Sequence, residues 1–226
     1  MLLLAALASG PAAAQLAPLA PEIAPAWRAV GLPPEKAPPT RFAPVTLDGV
    51  AALRLEADAS YGTLVHAVPG GGGTLSWRWR LERPVAAADL RTKAGDDAAL
   101  KVCAMFDLPL TALPFWERQK MRLARSVSGE DLPAATLCYI WDPSLPAGTL
   151  LPNAYTGRLR WIVLQGQGTP LAAWRSERRD LQADFLRAFG DESPTVPPLK
   201  AIAIGADADN TRGSSLGYIA GLALQP

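Results

Sequence analysis

Acidic residues gather in two places where they could do chemistry. Asp96 and Asp97 end the charged stretch Lys93-Ala-Gly-Asp-Asp97, and Asp207, Asp209 and Asn210 lie in Ala206-Asp-Ala-Asp-Asn-Thr211, just after an apolar run. Carboxylates at alternate positions of a loop can wrap a hard cation such as Ca²⁺. The spacing is not that of an EF-hand, whose glycine and distal glutamate are missing. The competing reading is a turn whose Asp and Asn side chains accept hydrogen bonds from local backbone N–H groups. Paired carboxylates can also hydrolyse a glycosidic bond, which needs an acid and a base or nucleophile about 5–10 Å apart. Glu82, Asp96, Asp97, Asp142 and Glu177 are available for that, and no pair stands out.

Other chemistries have few residues to use. His66 is the one histidine, so any Ser-His-Asp or Cys-His arrangement would have to recruit it. A histidine satisfied within its strand is the simpler reading. One His and two distant Cys cannot build a zinc site.

Arginines recur at strand spacing. Arg78 and Arg80 share a face, Arg158 and Arg160 share another, and Arg175, Glu177 and Arg179 a third. Such rows either pair with neighbouring Asp and Glu as a solvated lattice or present guanidinium groups to an acidic glycan.

These side chains must be positioned by strands. In Leu75–Glu82 the residues Leu75, Trp77, Trp79 and Leu81 alternate with Ser76, Arg78, Arg80 and Glu82, the period-two pattern of a half-buried strand. Leu100–Asp107 repeats it, with Val102, Ala104 and Phe106 opposite Lys101, Cys103 and Met105. Strands are also expected over Val50–Asp58, Tyr61–Ala67, Thr136–Trp141, Lys200–Gly205 and Leu216–Leu224. Leu159–Leu164 and Leu171–Arg179 read as a hairpin pair. The period changes twice. Leu113–Val127 reads as an inserted helix, and Asp180 reads as the N-cap of a second over Leu181–Phe189. With about ten strands, two short helices and no βαβ rhythm, the fold class is all-β. The expected architecture is a two-sheet antiparallel sandwich of jelly-roll type.

The ends and the composition add context. Residues 1–14 read as a secretory signal peptide with cleavage before Gln15, or as a short uncleaved anchor, although no Lys or Arg precedes the apolar run. Residues 15–41 are proline-rich and read as a tether outside any sheet ladder; the folded domain is expected over 42–226. The net charge of +1, with both signs interspersed, gives no footprint for nucleic acid. No later stretch reaches the about 18 apolar residues of a transmembrane helix. Export, to the periplasm or beyond, would let Cys103 and Cys138 pair across a loop of about 36 residues, worth on the order of 3–4 kcal/mol. Alternatively they are two small buried hydrophobes.

In order along the chain, SWRWR (76–80), TKAGDDAA (92–99), LCYIWD (137–142), YTGRLRWIVL (155–164), W-x-x-E-R-R-D-x-x-x-D-F-x-x-x-F-G (174–190) and AIAIGADADNT (201–211) resemble a bacterial family of unassigned activity, domain of unknown function 3047. The resemblance covers roughly residues 42–226. It implies export, a galactose-binding-like or lectin-like sandwich, and functional weight at Arg78, Lys93, Asp96, Asp97, Arg179, Asp207, Asp209 and Asn210. The family pattern carries an Asp where this chain has Gly221, which would weaken a ligand set that used it.

The expected function is binding of a carbohydrate or cell-envelope glycan without catalysis, through Arg78, Lys93, Asp96, Asp97 and Arg179. A structural Ca²⁺ could sit on Asp207, Asp209 and Asn210. The rivals are a glycan hydrolase or lyase using carboxylates, and an interaction module of the envelope with a protein partner.

Overall fold

The computed structural model describes residues 16–20 and 22–225, so the signal-peptide reading lies outside the described residues. In chain order the strands are β1 (Trp27–Val30), β2 (Arg41–Leu47), β3 (Val50–Asp58), β4 (Tyr61–Gly71), β5 (Thr74–Arg83) and β6 (Lys101–Phe106). Helix α1 (Phe115–Ser128) follows, then β7 (Ala135–Trp141), β8 (Leu150–Pro152), β9 (Leu159–Gln165) and β10 (Arg175–Asp180). Helix α2 (Leu181–Phe189), β11 (Leu199–Asp207) and β12 (Ser214–Gln225) complete the described chain. They form two packed sheets, one of seven strands in the order β1-β4-β11-β6-β7-β9-β8 and one of five in the order β10-β5-β12-β3-β2. The sandwich expected from strand periodicity is therefore present. Its pairings are antiparallel except for β7 with β9, which run parallel.

The aromatic alternation of β5 builds the middle of the core. Leu75, Trp77, Trp79 and Leu81 are all buried between the sheets. Trp77 meets Trp79 edge-on at 5.4 Å and Tyr139 at 5.3 Å, while Trp79 meets Trp141 at 5.8 Å. Each such ring removes about 150–250 Å² from water. At about 25 cal/mol per Å² that is worth roughly 4–6 kcal/mol as an upper estimate. This ladder ties β5 of the smaller sheet to β7 of the larger.

Helix α2 begins where its sequence says it should. Asp180 Oδ1 accepts hydrogen bonds from the N–H groups of Gln182 (2.9 Å) and Ala183 (3.0 Å), and Leu181, Phe185 and Phe189 are buried. Helix α1 also forms, but only Met121 of its apolar residues is buried; Trp116, Leu123 and Val127 face outward.

Two expectations are corrected. β9 and β10 do not form a hairpin: β9 lies between β7 and β8, whereas β10 pairs with β5 in the other sheet. Arg175–Asp180 offers no apolar stripe to bury between layers, so it can serve only as an edge strand (burial alternates between intermediate and exposed). The proline-rich segment is not a free tether either. Trp27–Val30 carries no proline between Pro25 and Pro33, keeps its N–H groups and pairs with β4. Leu16, Leu19 and Trp27 join the core, and Trp27 Nε1 donates to the Ala17 carbonyl at 2.9 Å. His66 is satisfied on both sides, as a structural histidine should be. Its Nε2 accepts from the Ala17 N–H at 3.2 Å, which leaves Nδ1 to donate to the Ala67 carbonyl at 2.8 Å.

The outer face of the larger sheet is also apolar. Cys103 and Cys138 stand directly opposite one another on β6 and β7 and are joined as a disulfide. Ile140, Trp161, Val163 and Ala203 pack around them, and Leu90, Ala98 and Leu145 from the loops close over that cluster. Those loops carry the polar residues described next.

Candidate functional site

The long loop between β5 and β6 folds back on itself through a bridge between Asp89 and Gly95. Gly95 is required there, since a Cβ at that position would lie 2.6 Å from the Asp89 nitrogen. The turn delivers Asp96 and Asp97 against the loop that leaves β11. Asp97 Oδ1 accepts from the Asn210 N–H at 3.0 Å, and Oδ2 accepts from the Thr211 N–H at 2.8 Å and the Thr211 hydroxyl at 2.5 Å. The two acidic stretches of the sequence thus meet as one cluster.

Asp207, the last residue of β11, is buried and accepts at Oδ1 from Lys101 Nζ (2.9 Å) and from the Ala98 N–H (3.1 Å). The Lys101 ammonium also stands 4.6 Å from the centre of the Tyr61 ring. Burial alone would lower the pKa of Lys101, but the neighbouring Asp207 carboxylate raises it above the ordinary value, while burial raises the Asp207 carboxyl against the pull of Lys101. Asp97, Asp207 and Asp209 each place a carboxylate oxygen within 4.8 Å of the others.

Asp96 completes the group. It is 6% exposed, its Oδ2 accepts from Asn153 Nδ2 at 2.5 Å, and its Oδ1 is buried with no hydrogen-bond partner. Burial pushes its carboxyl up to about 6, helped by Asp207 and Asp97 against the Asn153 hydrogen bond and Lys101. Asp209 Oδ1 is likewise buried and unpartnered, and burial followed by the Asp207 charge raises that carboxyl too. Four carboxylates therefore surround one buried ammonium.

The cluster forms the wall of an open cleft of about 490 Å³ whose lining includes Lys36, Tyr61, Asn153, Tyr155 and Trp161. Tyr155 stands at the rim, 57% exposed; its hydroxyl donates to Asn210 Oδ1 at 2.7 Å, with the Lys93 carbonyl 3.1 Å away. The Lys93 ammonium lies 5.3 Å from that ring. Tyr61, Lys101 and Leu159 also line a second hollow of about 300 Å³ over the disulfide. That one shares Met105, Leu132 and Pro133 with a third, of about 280 Å³, near β1. The three make one groove across the outer face of the larger sheet.

Of the residues singled out in the sequence, Lys93, Asp96, Asp97, Asp207, Asp209 and Asn210 converge here. Arg78 and Arg179 do not: both belong to the smaller sheet. Arg78 rests on Trp174 at 5.3 Å, and Arg179 forms a bidentate pair with the buried Asp184 (2.8 and 2.5 Å). Of the other arginines singled out, Arg80, Arg158 and Arg160 are paired as the lattice reading has it, while Arg175 keeps a buried Nε without a partner. Arg80 holds Asp48 and Glu82, while Arg158 and Arg160 both hold Glu192. Glu82 is thereby used, Asp142 accepts three local hydrogen bonds, and Glu177 accepts from Trp79 Nε1 and Gln165. Gly221 lies in β12 of the smaller sheet with φ of 60°, at a register shift, so the departure from the family pattern there does not touch the cleft.

Sequence reasoning missed Lys101, Tyr61, Asn153, Tyr155 and Trp161. It also passed over a G-x-S-x-G run, Gly213 to Gly217. Ser215 in that run is fully buried in β12, its hydroxyl 3.4 Å from the Ala99 carbonyl, with none of the exposure of a nucleophile elbow.

Fold and site together define a two-sheet β-sandwich with an acidic cleft on its larger sheet. The chain belongs to the protein family of unknown function DUF3047, whose sequence pattern matches residues 25–223 and so takes in β1. No curated protein sequence matches it. Among solved structures it is similar to the xyloglucanase domain of NopAA, a type three effector from Sinorhizobium fredii, in complex with cellobiose. That match has a TM-score of 0.48 and 9% identity over 88% of this chain and 92% of the other. It is also similar to Trichoderma harzianum endoglucanase 3 from family GH12, with a TM-score of 0.40 and 10% identity over 81% of each chain. A third is the K2 cleaved adhesin domain of Lys-gingipain, with a TM-score of 0.38 and 7% identity over 88% of this chain and 90% of that one. Among the described residues, no helix is long and apolar enough to cross a membrane.

Proposed function

We propose that this protein binds a neutral carbohydrate chain in the groove on its larger sheet and performs no covalent chemistry on it. The observation that carries this reading is the continuous groove itself, which runs from the acidic cleft with the exposed Tyr155 ring at its rim over two further hollows of the same sheet face. Tyr155 at the rim supplies an amphipathic ring for a sugar face. The groove continues into two further hollows, which suits a chain rather than a monosaccharide. Arg80, Arg158, Arg160 and Arg179 are held by Asp and Glu, Arg78 lies on the other sheet, and the four carboxylates disfavour phosphate or uronate, so the ligand is neutral. Export to the periplasm or beyond belongs to the same reading and is supported by the disulfide.

Calorimetric titration with neutral oligosaccharides of two to six units, run in chelator, tests this. Binding is expected to strengthen with chain length and to weaken about tenfold or more in Tyr155→Ala, the loss of one stacked ring. Absence of heat with every neutral glycan would sink the proposal. Turnover of a glycan that disappears in Asp96→Asn would replace it with the hydrolase reading.

A further inference from the structure

We infer that Asp97, Asp207 and Asp209, with Asp96 beside them on the cleft wall, form a site for one hard divalent cation, of the Ca²⁺ class, at the acidic end of the groove. The inference goes beyond carbohydrate binding and does not rest on it.

Geometry comes first. Oxygens of Asp97, Asp207 and Asp209 lie within 4.8 Å of one another. Two oxygens on opposite sides of a Ca²⁺ ion, each at about 2.3–2.6 Å, stand about 4.6–5.2 Å apart. Ca²⁺ takes about 6–8 oxygens in flexible geometry, as carboxylates on loops supply, whereas Mg²⁺ demands a tight octahedron and keeps several of its waters. The four carboxylates come from two loops clasped by the Asp97 hydrogen bonds to Asn210 and Thr211, so folding brings them together without help from a ligand.

A second, independent observation is the state of Asp96. Its side chain is more than nine-tenths buried at the cleft wall, yet Oδ1 meets no donor. Burying an ionised carboxylate oxygen without a partner is expensive unless a cation compensates it. Lys101 cannot do this alone, because its ammonium is committed to Asp207 Oδ1. With four carboxylates against one ammonium, a divalent ion reduces the formal charge from −3 to −1.

The donor set also selects the ion class. Every available ligand is a carboxylate oxygen, the preference of hard cations. The soft and borderline ligands are used up: Cys103 and Cys138 are joined to each other, and both nitrogens of His66 have partners. Asn210, a ligand in the sequence-based expectation, here acts as a clasp. Its amide donates to the Asp96 carbonyl at 3.2 Å, and its Oδ1 accepts from Tyr155.

The test uses the full chain after chelator treatment and no carbohydrate. Titration with CaCl2 and with MgCl2 is followed by calorimetry and by thermal unfolding. Saturation at one Ca²⁺ per chain is expected, with a rise in Tm and weaker binding of Mg²⁺. Asp209→Asn removes a ligand at a partly exposed loop position, with its fold checked by circular dichroism, and is expected to lose about 10–100-fold in Ca²⁺ affinity, the scale of disturbed metal sites. Asp191→Asn, a surface control, should leave affinity unchanged. Absence of heat and of a Tm change up to millimolar Ca²⁺, or an Asp209→Asn variant that binds like the parent, overturns the inference. Because the carbohydrate titration is run in chelator and this one without carbohydrate, each can fail separately.

Discussion

Lys101 and Asp207 hold each other across 2.9 Å on the paired strands β6 and β11, each with a side chain only 6% exposed. An ion pair this deep gains little over an apolar pair of similar size, but breaking it on one side is expensive. Lys101→Met is therefore expected to lower stability by about 3–5 kcal/mol in urea denaturation at neutral pH, because Asp207 is left charged and alone. The double variant Lys101→Met/Asp207→Asn should recover most of that loss. Equal stability of the single variant and the parent would show that Asp207 carries a proton rather than a charge.

Acidification should strengthen the cation-free protein over one window. Asp96 has a folded pKa of about 6 against an ordinary value of 3.8, so the folded state holds more protons between those values. Where the folded state binds more protons, stability falls as pH rises. In chelator, stability should drop from pH 4 to pH 6 by roughly 1–2 kcal/mol, after allowance for screening at the open cleft, and then level off. Asp209 is raised in the same direction and adds to the slope. Asp96→Asn should flatten the profile and stabilise the protein at pH 8; a profile that rises through this window would contradict the assignment.

The bond between Cys103 and Cys138 closes a sequence separation of 35 on the groove floor. Replacing both by Ser should cost about 3–4 kcal/mol on the chain-entropy account, read as a lower urea midpoint. A loss much below 1 kcal/mol would mean that the pairing of β6 with β7 already restrains the unfolded chain.

Asp180→Ala removes the oxygen that accepts from Gln182 and Ala183 at the start of α2. The expected cost is about 1 kcal/mol, restored in large part by Asp180→Ser. Equal loss in both variants would point to the charge at the helix start rather than the hydrogen bonds.

Periodicity made the sandwich readable because the side chains of Leu75–Glu82 alternate strictly and α2 carries its cap beside its apolar face. What periodicity cannot carry is which edges meet. β10 is all polar, so nothing in its sequence distinguished pairing with β9 from pairing with β5. The acidic site was visible only as two fragments. Asp97 and Asn210 are separated by 113 positions, and no local pattern reports that contact. Lys101 gives only a faint signal, a lone ammonium heading the otherwise apolar LKVCAMF run, which strand alternation puts on one face with Cys103 and Met105, where a lysine by itself suggests open solvent. That face is instead roofed by loops, which turned an outward lysine into a buried one.

Strand β1 shields a flank that would otherwise be bare. β4 is 11 residues long and has β11 on one side, and on the other Trp27–Val30, with a bridge from Pro39 to Tyr61 at its start. A shortened chain beginning at Phe42 would strip that cover and leave a row of unmated peptide groups along Thr63–His66. Such rows recruit strands from neighbouring molecules. The first symptom of trimming the proline-rich arm should accordingly be self-association, with the sandwich itself still standing.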